Sequence, residues 1–130
     1  MLLERLSRLI QNGATTDGLR PTHWEALRYL ARANRFSRTP TALTAYLGVT
    51  KGTVSQSIAA LEKKGLVKKD AAGGDRRRVR LALTRAGRAR LTDDPLAAID
   101  QAVDDLPADL RKAVTRGLSQ ALTSLLHERE

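Results

Sequence analysis

Apolar residues along this 130-residue chain recur with two different periods, and the change between them marks its organisation. Leu2, Leu3, Leu6, Leu9 and Ile10 fall at three- and four-residue steps, one stripe of a short opening helix that Gly13 ends. A second helix is expected to open at Thr22, where Glu25 three residues on completes a capping box, with Leu27 and Leu30 facing inward. Thr39-Pro40 sets a cap before a proline at the first helical position, so a third helix runs to Leu47 and stops at Gly48. Thr50 caps a fourth from Lys51 to about Lys64, in which Val54, Ile58 and Leu61 share a narrow arc, and Gly65 ends it.

Past Gly65 the period falls to two. Leu66 to Lys69 is short and extended, Asp70 to Gly74 is turn-forming, and Val79, Leu81 and Leu83 alternate, which predicts a hairpin with its tip near residues 71–75. Thr84 restarts helix, Asp94-Pro95 offers a further cap, and Pro107 opens a final long helix striped by Leu110, Val114, Leu118, Ala121, Leu122 and Leu125. The expected fold is mainly α with a small β-hairpin. Four aromatic residues, Trp24, Tyr29, Phe36 and Tyr46, leave the core to Leu, Ala, Val and Ile, which agrees with helical layers.

Charge sharpens this picture. Residues 1–27 carry no net charge, residues 28–90 hold 16 basic against 3 acidic side chains, and residues 91–130 hold 4 against 8. A basic middle on a neutral and acidic frame points to one polyanion-facing element. With Val54, Ile58 and Leu61 inward, the fourth helix turns Gly52, Gln56, Ala59 and Lys63 outward, flanked by Thr53 and Ser55. Such a slim, hydrogen-bonding face fits a major groove about 12 Å wide, where Gln bonds adenine in bidentate fashion and Ser or Thr bond bases or phosphates. Lys51 and the free donors at the helix start suit phosphate. An ordinary surface helix poor in bulk is the plainer alternative. Asp75-Arg76-Arg77-Arg78 then places three guanidinium groups at the hairpin turn, a composition suited to the negative potential of a narrow minor groove. Asp75 is read as a partner that fixes the direction of Arg77.

Leu47 to Ser55, Leu61 to Val67, Asp75-Arg76-Arg77 and Leu83 to Gly87 together closely resemble the MarR family of bacterial regulators, over about residues 21–91. The resemblance implies a winged helix-turn-helix with an N- and C-terminal helical dimerisation layer. Within one domain over residues 1–130, residues 21–92 would read DNA, and residues 1–20 and 93–130 would form the dimer. It also implies a homodimer on an inverted-repeat operator in double-stranded DNA, and a repressor released by a small-molecule effector. The implied contacts are Thr39, Thr50, Lys51, Gly52, Thr53, Ser55, Gln56 and Lys63 on the helix-turn-helix and Asp75, Arg76, Arg77 and Arg78 on the wing. His23 and Trp24, near where the family places its effector cleft, are candidate pocket residues, with a plain core or hinge role as the alternative. One departure is Thr44, where these units usually carry a smaller alanine.

Other function classes find little here. His23 and His127 are the only histidines, there is no cysteine, and Gly73-Gly74 lack the spacing of a phosphate loop, so no catalytic, cofactor or metal site is expected. No apolar run approaches the roughly 18 residues of a membrane span, so a cytoplasmic protein is expected. A constitutive or architectural DNA-binding protein of the same fold, without an effector, is the alternative that sequence leaves open.

Overall fold

Three threonines set helix starts. In the computed structural model, which describes residues 1–13, 18–71 and 79–128, Thr39, Thr50 and Thr84 have extended backbone, and their hydroxyls accept the amide N–H of Ala42, Thr53 and Gly87. Each satisfies a donor that a helix start leaves unpaired, a contribution of about 1 kcal/mol. They open α3 (Pro40–Leu47), α4 (Lys51–Lys63) and α5 (Arg85–Arg90). Ahead of these lie α1 (Leu2–Gly13) and α2 (Pro21–Arg32); β1 (Val67–Ala71) and β2 (Val79–Leu83) separate α4 from α5. A 3-10 turn (Leu91–Asp93), α6 (Ala97–Asp104) and α7 (Ala108–His127) follow.

Glycine closes α3 and α4. Gly48 ends α3 at φ 64° and Gly65 follows α4 at φ 71°, a region that residues with a Cβ disfavour. At the second site Leu66 N–H donates to the Leu61 carbonyl and Gly65 N–H to that of Glu62, both at 2.9 Å. Leu61 and Leu66 both enter the core, so the termination signal and the packing reinforce each other.

Two starts differ from expectation. α2 opens at Pro21, one residue before Thr22, and the expected Thr22/Glu25 box gives way to His23, whose Nδ1 accepts the backbone N–H of Arg20 at 3.0 Å. Proline lacks an amide hydrogen and is preset for the first helical position, so it takes the start, and the imidazole at the third position does what Glu or Gln commonly does. Asp94 caps no helix, since α6 begins only at Ala97. Its carboxylate instead receives the Arg28 guanidinium as a fork, Nε to Oδ2 at 2.6 Å and Nη2 to Oδ1 at 2.7 Å. A bidentate pair of this kind ties the end of the 3-10 turn to α2.

The chain divides into two compact units, residues 1–95 and 96–130. In the first, Trp24, Leu27 and Leu30 of α2, Leu43 of α3, and Val54, Ile58 and Leu61 of α4 pack with Leu66, Val67, Leu81 and Leu83 of the hairpin. The strands pair antiparallel from Val67 with Leu83 to Ala71 with Val79. Leu81 and Leu83 are buried, but Val79 is exposed, because alternation toward the core fades as the strand leaves the body. Leu81 N–H donates to the Arg38 carbonyl at 2.7 Å, and Thr84 donates through N–H to Leu66 O and through its hydroxyl to Gly65 O. β2 is thereby fastened to the segment before α3 and to the end of α4. This mainly helical body with one hairpin is a winged helix-turn-helix.

Both ends of the chain keep apolar surface in solvent. Leu2, Leu3 and Leu9 of α1 are exposed, and α6 and α7 bury no residue. Leu110, Leu118, Leu122 and Leu125 are between 51% and 60% exposed along α7. Among the described residues no helix is long and apolar enough to cross a membrane.

Candidate nucleic-acid interface

The exposed side of α4 follows from what its other side buries. Val54, Ile58 and Leu61 are at most 3% exposed, and Ser57 is buried beside them. The opposite face therefore presents Lys51, Gly52, Ser55, Gln56, Ala59 and Lys63. Thr53 is half-buried, and its hydroxyl lies 2.9 Å from that of Thr50, so both cap hydroxyls are engaged at the helix start. Thr39 is half-buried and serves as the cap of α3. Thr44, the departure noted in the sequence, donates its hydroxyl to the Pro40 carbonyl at 2.8 Å and so stays within its own helix.

Gly52 is informative because the fold does not require it. A Cβ there would meet nothing closer than the Thr50 hydroxyl at 3.9 Å, and the residue has no positive φ. Glycine inside a helix costs about 1 kcal/mol relative to alanine. A slim surface gives that cost a reason. Gly52→Ala is accordingly expected to raise the melting temperature by a few degrees while weakening duplex binding; equal or tighter binding by the alanine variant would remove the steric argument.

The strands of the hairpin carry exposed Lys68 and Lys69 beside α4, with Lys69 Nζ 3.4 Å from Glu62. Asp75, Arg76, Arg77 and Arg78, the expected wing tip, lie outside the described residues.

His23 and Trp24 are not brought together at one cavity. Trp24 is fully buried in the core, with the Arg90 guanidinium 5.6 Å from its ring centre and an indole N–H that finds no acceptor among the described residues. His23 is 8% exposed and faces a groove toward α4. Burial first, then the charges of Arg20 and Lys64, push its imidazole below the usual histidine range. A separate cleft of about 370 Å³ opens further along α2, between Arg28, Tyr29, Arg32, Asn34, Ser37 and Tyr46. Tyr29 and Tyr46 lie 4.8 Å apart, centre to centre, and the Tyr29 hydroxyl donates to Ser37 O at 2.8 Å. The sequence pattern did not single out this cleft, because α3 supplies Tyr46 from a position that reads only as an exposed helical residue.

Comparison with known proteins points one way. A family model described as MarR family matches residues 17–78. A probable transcriptional regulator from Pseudomonas aeruginosa is 30% identical, with 92% of this chain and 89% of that chain covered and a TM-score of 0.68. A MarR family transcriptional regulator from Streptomyces coelicolor, solved in complex with DNA, is 26% identical over 95% of this chain and 83% of that one, with a TM-score of 0.72. The S. aureus MepR–DNA complex shares the fold at a TM-score of 0.69 and 21% identity, covering 95% of each chain. No curated protein sequence matches significantly.

Proposed function

The chain belongs to the MarR family, and from that premise we propose that it is a sequence-specific regulator of transcription that binds double-stranded DNA as a homodimer. The observation that carries this reading is the α4 face: a glycine the fold does not need, Ser55 and Gln56, all exposed on a helix whose other side is locked into the core. α4 enters the major groove, and the helix-turn-helix contacts are Thr39, Thr50, Lys51, Gly52, Thr53, Ser55, Gln56 and Lys63. Asp75 to Arg78 reach the adjacent minor groove from the wing tip. The relative from Streptomyces coelicolor, solved in complex with DNA, supports the DNA-binding reading as such.

Residues 21–92 form the reading head, and residues 1–20 and 93–130 the dimer layer. The dimer is supported by the exposed leucines of α1 and α7, which a single chain leaves uncovered. Two-fold symmetry sets the two recognition helices about one DNA turn, roughly 34 Å, apart, so the operator is an inverted repeat. Repression with release by a small molecule rests on the family resemblance and on the cleft between α2 and Tyr46, whose volume lies within the range of small-ligand sites. A thermal-shift screen with aromatic acids and drugs, followed by operator release for each hit, tests the effector; a screen with no hit returns the protein to the constitutive class.

Selection from a random duplex pool tests the central reading. An enriched palindrome is expected, and a pool that stays random would overturn it. On the selected duplex, Gln56→Ala is expected to lose about 1–3 kcal/mol of discrimination at one base pair of each half-site. An unchanged base preference would move Gln56 off the base edges.

A further inference from the structure

The groove between the start of α2 and the flank of α4 has a chemistry of its own. It has a volume of about 310 Å³ and its walls include Arg20, Thr22 and His23 on one side and Gln56 and Lys64 on the other. His23 is more than nine-tenths buried, yet lines it. Its Nδ1 is occupied as the acceptor of the Arg20 N–H, which fixes the neutral ring with its hydrogen on Nε2. Among the described residues that Nε2–H has no acceptor. Burial and the charges of Arg20 and Lys64 keep the ring neutral, so this single donor persists at neutral pH.

Two full cations stand beside it. Lys64 Nζ lies across the loop at Gly18, 3.1 Å from where a Cβ would sit, and among the described residues neither Lys64 nor Arg20 has an ion-pair partner. Among the described residues that line the groove there is no carboxylate. Two cations, one fixed neutral donor and the Thr22 hydroxyl around one space call for an anion rich in acceptor oxygens, which is a phosphate. The groove also shares Thr53 and Gln56 with α4, so an anion there sits beside the surface read as base-contacting.

We propose that Arg20, His23 Nε2–H and Lys64 form a subsite for a backbone phosphate of the duplex strand bordering the major groove that α4 reads. The subsite rests on the DNA-binding reading and extends the protein's footprint to the N-terminus of α2. It strengthens binding to every duplex alike and sets the tilt of α4 in the groove.

Salt-dependent binding to the selected duplex tests it. Arg20→Gln combined with Lys64→Gln is expected to weaken binding about tenfold and to lower the slope of log affinity against log salt by about 1. His23→Gln and His23→Glu divide the two roles of the imidazole, because either side chain can accept the Arg20 N–H, but only Gln still offers a donor to the groove. Both variants should melt near the wild-type temperature; Gln should keep near-native affinity, and Glu should lose about tenfold or more through repulsion of the phosphate. Unchanged slopes with a wild type that binds DNA, or equal losses from Gln and Glu, would overturn the subsite alone. A wild type that enriches no duplex would overturn the DNA reading with it. Millimolar inorganic phosphate that shifts the His23 ring resonances, where saturating duplex leaves them unmoved, would assign the groove to a free anion and overturn the proposal.

Discussion

Gly87→Ala is expected to lower the melting temperature by roughly 10 °C, the largest effect of a glycine-to-alanine change among the described residues. A Cβ at Gly87 would fall on the Leu66 carbonyl oxygen, with the Leu66 carbonyl carbon at 3.1 Å and Leu83 Cδ2 at 3.2 Å. The carbonyl cannot swing aside cheaply, because it accepts the Thr84 N–H at 3.1 Å. Nor can α5 retreat, since Gly87 N–H is held by the Thr84 hydroxyl at 3.0 Å. Overpacking commonly costs about 1–3 kcal/mol, and contact with backbone belongs at the top of that range. Thermal unfolding followed by circular dichroism measures it. A wild-type melting temperature for the variant would mean that α5 is not seated on the end of α4.

Leu118→Asp with Leu122→Asp is expected to convert the proposed dimer into a folded monomer and to reduce operator affinity by about 100-fold or more, since the second half-site is then no longer held at high effective concentration. Both leucines are more than half exposed within one chain, so aspartate there costs the isolated fold little. In a dimer the same positions would bury uncompensated carboxylates. Sedimentation and duplex binding together decide the outcome: a wild type that sediments as a monomer, or a double variant that remains dimeric, would remove α7 from the assembly.

What could be read in the sequence followed the locality of each signal. Thr39, Thr50 and Thr84 were legible at helix starts because the hydroxyl and the amide donor it accepts lie within four residues, and Gly48 and Gly65 were legible as ends for the same reason. The inward arc of Val54, Ile58 and Leu61 was legible too, and it defined the outward face by elimination. Asp94 was misread because its partner, Arg28, is 66 residues away, and an Asp-Pro pair carries the local signature of a helix start whether or not it serves as one. His23 was misjudged for another reason: capping by imidazole is uncommon, so Thr22 and Glu25 offered a better local pattern than the one the chain adopts. The groove that joins Arg20 to Lys64 has no sequence signature, since it depends on how α2 and α4 lie together.

The attachment of β2 has a consequence for how such a protein diversifies. Because Leu81 is bonded to Arg38 and Thr84 to Gly65 and Leu66, the base of the hairpin is held by the body. Residues beyond that base can therefore be exchanged, lengthened or recharged without disturbing α3 and α4. On the DNA-binding reading proposed above, drift in the tip would retune overall grip and drift on α4 would change the address, which lets strength and specificity evolve on separate clocks.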